Sequence, residues 1–325
     1  MEWWQLSDLC TPWCVHVAAT LRVPEHIAAG HGEIGQLAAA AAADRDSLER
    51  VLRHLVSKGL FAEPSPGVFA LNEAARPLLE EGARIGLDLD GFGGRMAHAW
   101  GTLLSAVRTG RPAYHEAFGR PYWEDLEANP PIAASFDALM GVAGHGVPDP
   151  NVLPDPADWE KVRMVVDVGG GAGDLLAAVL RAHPGTRGTL VDLPRTVARA
   201  AATFEAAGVA DRVTLAGQSF FEPLPSGGDV YLLSKVLCDW PDREATAILR
   251  RCAEAAGATG RVVALGEGGP GSPELLMLVL VGGKDRSLEQ LRAIARDAGL
   301  EVSAVGRQAK GRPMVELRAA SANRT

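Results

Sequence analysis

The chain is short of several things that would have announced a function. Its four cysteines (Cys10, Cys14, Cys238 and Cys252, in 325 residues) form no CxxC pair, and no histidine cluster completes a zinc pattern. Cys10 and Cys14 stand four apart, on one helical face. Two small apolar residues packed in a helix are the expectation there, and no metal is expected. No apolar run reaches the roughly 18 residues of a membrane span. The opening MEWWQLSDLC has no basic segment ahead of an apolar core, so no secretory signal is expected. A cytoplasmic chain without membrane contact or disulfides follows. Positive charge is also in deficit, with a net charge of −8, which argues against a general polyanion binder and against a nucleic-acid partner. The basic residues are 27 Arg against 5 Lys, a bias of composition that carries no mechanism.

What is present falls into two parts. The first 150 residues read as helical, beginning with LCTPWCVHVAATLRVPEHIAAG, which stops at Gly30. A short helix over 34–42, a turn at Asp44, Arg45 and Asp46, and a helix over 47–58 come next. Two short strands around LFAE and VFAL follow, joined by Pro-Ser-Pro-Gly. Helix, turn, helix and hairpin make a winged-helix pattern, which can bind DNA or serve dimerisation. The second helix, SLERVLRHLVSK, balances its bases with nearby acids, which favours dimerisation. Helices are expected over 93–109 and 122–142. VPDPNVLPDPADW (147–159), with four prolines, reads as a linker.

Strands and helices then alternate. Strands are expected over 163–168, 187–192, 212–216, 229–234 and 261–266, with helices over 174–182, 195–207 and 242–256, and a closing helix and two strands at the end. This is the pattern of a doubly wound α/β domain with a mainly parallel sheet. The expected domains are 1–150 and 151–325.

VVDVGGGAGDLLAAVL is strand, glycine loop and helix. The dinucleotide fingerprint GxGxxG fails here, because Asp174 or Leu176 stands where its last Gly or Ala is needed, and no GxxxxGK[ST] loop exists. Asp174 suits a helix N-terminus but would repel a pyrophosphate there, and Asp167 adds to that. A cationic, phosphate-free nucleoside fits better. Asp192 ends the next strand, about twenty residues on, where a carboxylate can hold ribose hydroxyls.

Five motifs in order, VVDVGGGAGDLL, GTLVDLPRTVARA, GQSFFEPLP, LLSKVLCDWPDREATAILRRCAEA and MLVLVGGKDRS, resemble the S-adenosylmethionine-dependent small-molecule O-methyltransferases. The resemblance is nearest to actinomycete natural-product enzymes of carminomycin type and more distant to plant caffeate-type enzymes. It extends over essentially the whole chain, WGTLLSAVRTGRPAYHEAFGRPYWEDL included. It implies a Rossmann-like class I methyltransferase domain behind an N-terminal winged-helix dimerisation and substrate-capping domain. The implied assembly is a homodimer, in which Trp3, Trp4 and Trp13 pack across the interface. The implied cofactor is S-adenosylmethionine, lined by Gly169, Gly170 and Gly171 and bound at its ribose by Asp192. Ser219 and Phe220 take the places of the family's adenosine-contacting Asp-Phe pair, so Ser219 is a departure. Ser234 stands where some relatives have Lys and others Ser.

The resemblance also locates the chemistry. Many relatives carry a His base in LHDW; here the position is Cys238, followed by Asp239 and Trp240. The two flanking carboxylates of plant relatives correspond to Glu267 and Asp285, the second usually Glu. The segment EGGPGSPELLMLV is shorter than usual. Cys238 as a base needs ionisation, which burial beside Asp239 opposes, so a neutral wall of the pocket is the favoured reading and a thiolate base the other. His98 and His145 are candidate substitutes. Met140 and Trp100 are candidate substrate contacts, while Phe136, Tyr122 and Trp123 read as pocket or packing residues. The expected reaction is methyl transfer to a hydroxyl, in all expectation phenolic, of an aromatic secondary metabolite, driven by proximity and desolvation. Changed chemistry of hydroxylase or decarboxylase type is the alternative, and a winged-helix regulator a more distant one.

Overall fold

The computed structural model describes residues 6–266 and 274–320. Trp3, Trp4 and Glu267 therefore lie outside the described residues. The chain divides into two compact units that are not successive stretches. One holds the described residues up to His98 together with Leu126–His145, and the other holds Ala99–Asp125 together with the chain from Gly146 onward.

In the first unit, the helix Cys10–Thr20 is followed by Val23–Ala28, Ile34–Ala40 and Arg45–Ser57. The last begins two residues before its expected start because the Asp44 carboxylate accepts the Ser47 N–H at 2.9 Å, a side-chain cap. Strands β1 (Phe61–Ser65) and β2 (Val68–Leu71) form an antiparallel hairpin, completing the winged-helix arrangement. Ile34, Leu37, Leu48, Leu52, Leu55, Phe61 and Phe69 close its core. Their spacing of three and four along the helices and two along the strands is what places them together.

The second unit is built on a seven-stranded sheet. Its strands are β3 (Met164–Val168), β4 (Arg187–Asp192), β5 (Val213–Gly217), β6 (Val230–Ser234), β7 (Arg261–Leu265), β8 (Leu300–Arg307) and β9 (Pro313–Ala319). Their order is β5-β4-β3-β6-β7-β9-β8, parallel except for β9, which runs antiparallel to both neighbours. Strands β3, β6 and β7 are almost continuously apolar because both faces are covered. Val166, Tyr231 and Leu233 face the helices Asp242–Ala256 and Leu288–Asp297, while Val165, Val230 and Leu232 face Asp174–Ala182 and Pro194–Ala206. The alternation along each strand serves two cores at once.

Two expected long helices are broken. The 93–109 run is interrupted by a tight turn at Trp100–Thr102, where the Thr102 hydroxyl donates to Ala99 O at 2.8 Å and competes with the helical ladder. The 122–142 run is split into Tyr122–Ala128 and Pro130–Met140. Pro130 and Pro131 offer no N–H, so they start a helix but cannot continue one.

Candidate functional site

The sheet changes its direction of winding between β3 and β6, and in open α/β sheets the crevice beyond the strand ends at such a point receives ligands. The glycine loop leaves β3 there, and residues 235–240 leave β6 beside it. Gly169, Gly171 and Gly173 take left-handed φ of 70°, 59° and 84°, which side chains rarely adopt. At Gly170 the need is for space instead: a Cβ would lie 2.5 Å from both Asp167 Oδ2 and Leu190 Cδ1. A Cβ on Gly171 would meet nothing within 4 Å, so the loop presents an open face at that residue.

Two carboxylates line this loop. Asp192, at the end of β4, accepts the Gly171 N–H at 2.9 Å and the Leu193 N–H at 2.7 Å. Burial nevertheless raises its pKa above the usual carboxylate range, against the pull of those bonds. Asp167 is fully buried, and neither of its oxygens has a hydrogen-bond partner among the described residues. Desolvation, and after it the Asp192 charge, pushes its pKa up to about 7. Burial raises Asp174 as well. Such a loop accepts hydroxyl donors and positive charge and opposes phosphate.

An aromatic group borders it. Phe220 comes within 3.4 Å of where a Gly169 Cβ would be, while Ser219 Oγ accepts the Phe221 N–H at 3.2 Å and holds the turn. Phe220 and Phe221 meet Trp240 edge-on at 5.8 and 4.9 Å, and Trp123 stacks on Trp240 at 6.0 Å. That stack shows how residues 99–125 join this unit.

The corner after β6 is held from elsewhere in the sequence. Arg286 has a fully buried side chain whose Nη1 donates to Leu237 O and Nη2 to Trp240 O, each at 2.7 Å, while Nε donates to Asp242 Oδ1 at 2.9 Å. Gly283 packs directly on the Cys238 and Asp239 backbone, and a Cβ there would fall 2.0 Å from Cys238 O. Lys235 has a left-handed φ of 58°, which costs a lysine roughly 1–2 kcal/mol, and its N–H donates to Leu265 O at 3.2 Å. Ser234 Oγ accepts from Arg312 Nη2 at 3.0 Å. Although much of the Lys235 side chain reaches solvent, its ammonium sits in a desolvated and cationic setting. Desolvation first, then Arg312, brings its pKa down to about 8, against the attraction of Cys238 and Asp239. Cys238 is half-buried, with Sγ 3.8 Å from Asp239 Oδ1. The Tyr122 hydroxyl is raised well above its ordinary value by burial and then by the Asp239 charge.

Comparison with known proteins decides what this arrangement belongs to. The O-methyltransferase domain matches residues 100–301, and the O-methyltransferase dimerisation domain matches residues 4–81. The chain is 45% identical over 307 residues to the 2,7-dihydroxy-5-methyl-1-naphthoate 7-O-methyltransferase of Streptomyces carzinostaticus, covering 92% of each. The chain belongs to the O-methyltransferase family. This methyltransferase is also 40% identical over 320 residues to the aclacinomycin 10-hydroxylase of Streptomyces purpurascens, covering 92% of this chain and 83% of that one. A solved O-methyltransferase from neocarzinostatin biosynthesis, in complex with S-adenosylmethionine and 2-hydroxy-5-methyl naphthoic acid, superposes with a TM-score of 0.92 at 42% identity. That match covers 98% of this chain and 99% of the other. The sheet unit is of the class I methyltransferase type.

In the methyltransferase, the second unit brings together Gly169, Gly170, Gly171, Asp192, Phe220, Ser219, Ser234, Cys238 and Asp239 around the ends of β3, β4 and β6. Asp285 is half-buried beside Arg286, and Trp100, 42% exposed, is in the same unit. Met140, His98 and His145 belong to the first unit, where all three are exposed and His98 packs on Trp13 at 5.0 Å. Sequence reasoning passed over Lys235, Gly283 and Arg286. A buried arginine in a polar GGKDRS stretch reads as surface, and the only signal for Gly283 was a second glycine beside Gly282.

Proposed function

We propose that this methyltransferase uses S-adenosylmethionine to methylate a phenolic hydroxyl of an aromatic natural product, working as a homodimer. The observation that carries the proposal is the carboxylate-lined glycine loop with its open face, in which Asp167 is buried without a hydrogen-bond partner among the described residues. The donor set suits the cofactor: a nucleoside with hydroxyls for Asp192, no phosphate, and a net cationic methionine end that offsets the acidic loop. When bound, S-adenosylmethionine supplies a methyl group on a positively charged sulfur.

The chain's own residues do the rest. Gly169, Gly170 and Gly171 let the backbone come close, Asp192 takes the ribose hydroxyls, and Ser219 and Phe220 border the adenosine. Ser234, fixed by Arg312, lies at the methionine side. Cys238 acts as a neutral wall, because the Asp239 carboxylate beside its thiol opposes a thiolate, against the attraction of Lys235. Asp285 acts as a flanking carboxylate, and Trp100 is the acceptor contact offered by the sheet unit. Catalysis then rests on positioning, which contributes about 7–11 kcal/mol, and forgoes a base worth roughly 10²–10⁴-fold. Lys235 and Arg312 put positive charge at the corner and favour the phenolate over the phenol. Exposed apolar side chains at the start of the Cys10–Thr20 helix, Leu9 just before it and Trp13 on it, suit an interface between protomers.

The similarity to aclacinomycin 10-hydroxylase supports one second reading, in which the cofactor is bound but the chemistry is changed. Isotope-labelled S-adenosylmethionine and a panel of hydroxynaphthoates and hydroxyanthraquinones separate the two. A mass gain of one methyl supports the proposal, and cofactor binding without any such gain supports the second reading. Failure of both S-adenosylmethionine and S-adenosylhomocysteine to bind at sub-millimolar concentration in calorimetry sinks both.

A further inference from the structure

We propose that Cys10, Cys14 and His54 form a binding site for a thiophilic cation, zinc(II) foremost, that staples the Cys10–Thr20 helix to the Arg45–Ser57 helix. The sequence offered only the pair of thiols. The fold adds the imidazole from 40 residues further along. The two sulfurs stand 3.8 Å apart, and the candidate ligand atoms of all three residues lie within 4.8 Å of one another. For a tetrahedral zinc with Zn–S bonds of about 2.3 Å, geometry sets the distance between two sulfur ligands at about 3.8 Å. The thiol pair already has that separation, so binding requires only a small closure of the His54 ring.

A supporting shell is in place. Asp8 accepts the Cys10 N–H at 2.9 Å and the Thr11 N–H at 3.1 Å, is paired with Lys58 at 3.1 Å, and accepts the Thr11 hydroxyl. That hydroxyl lies 2.8 Å from His54 Nε2. A carboxylate thus orients the imidazole through one hydroxyl, the kind of outer support that metal-ligating histidines use. Cys10 is exposed, which gives an ion a route in and leaves its fourth position open to water. Binding forms two Zn–S bonds and one Zn–N bond, breaks two S–H bonds and releases two protons to solvent. No oxidant or reductant is involved.

The test uses the full-length protein, reduced and stripped with chelator, then titrated with cobalt(II). The expected result is a thiolate-to-cobalt charge-transfer absorption with tetrahedral visible bands, saturating at one cobalt per chain and displaced by zinc. Cys10→Ser, at an exposed position that folding tolerates, and His54→Ala each remove those bands. Thr11→Val, which alters only the support, weakens zinc binding by roughly 10–100-fold. Cys238→Ala leaves the bands intact. Absence of a charge-transfer band at stoichiometric cobalt overturns the proposal, and so does a band that survives Cys10→Ser.

Discussion

Two loops leave neighbouring strands at the same end of the sheet and are built on opposite principles. The glycine loop after β3 is shaped by its own residues, through left-handed glycines and the close seat of Gly170 over Asp167. The corner after β6 has little local reason for its shape. It carries a left-handed lysine and is held by Arg286 and Gly283, more than 40 residues away. A loop made from local backbone preference can be read from its sequence, and a loop clamped by a remote buried cation cannot.

That contrast can be broken most forcefully at Arg286. Arg286→Ala removes a charged donor from the Leu237 and Trp240 carbonyls, while Asp242 keeps Lys284, and a loss of about 3–5 kcal/mol is expected in urea unfolding, together with activity. Arg286→Lys retains charge but not the fork, so it should recover only part of either. A variant as stable as the wild type would mean that the corner is locally determined after all.

The glycine loop is sensitive to charge instead. Asp192→Ala should weaken S-adenosylmethionine binding by about 10–150-fold, the value of a hydrogen bond to a charged group, with little change in Tm. Calorimetric affinities within a factor of two of each other would remove Asp192 from the cofactor. Asp167 gives a pH signature. Its folded-state pKa, about 7, lies above the ordinary 3.8, so the folded chain keeps a proton that the unfolded chain loses. Stability from this group is full below pH 3.8, falls as pH rises through that window, and levels off above about 7. Ligand-free Asp167→Asn should therefore gain on the wild type by about 2–3 kcal/mol between pH 5 and 8, at about 1.4 kcal/mol per unit. A constant gap in Tm across that range would refute the burial of an unpaired carboxylate.

Smaller effects are expected at Lys235 and Cys238. Lys235→Gln should lower kcat/KM for a phenolic acceptor by about 10-fold, or roughly 1.4 kcal/mol, while cofactor affinity stays unchanged. Its charge fades as pH rises through about 8, so the wild-type advantage should shrink above that pH. An equal ratio at pH 7 and 9.5 would show that the ammonium plays no part. Cys238→Ala should keep more than a tenth of the activity, whereas a loss above about 10³-fold would reveal the thiol acting in the chemistry.

Much of the fold was legible. The helix expected over 174–182 and the strand over 187–192 have the expected bounds, because apolar periodicity and a terminal Asp mark them locally. The broken helices at Trp100 and Pro130 were less so, since periodicity runs on across a break that one hydroxyl or two prolines make. Within the candidate site, Asp192 and the glycines were legible from their places at strand ends. Lys235 was visible in SKVLCDWPD, yet its lowered pKa depends on Arg312, 77 residues on.

By itself, the sequence determined the alternation of strands and helices, the glycine loop with its acidic neighbours and the absence of a histidine at position 238. These depend on residue type and near-neighbour spacing. Only the tertiary structure decided that Ala99–Asp125 joins the sheet unit, that Arg286 is buried under the corner after β6, and that His54 meets Cys10 and Cys14. Each depends on which distant surfaces burial brings into contact, and a buried cation or an approaching imidazole leaves no period in the chain.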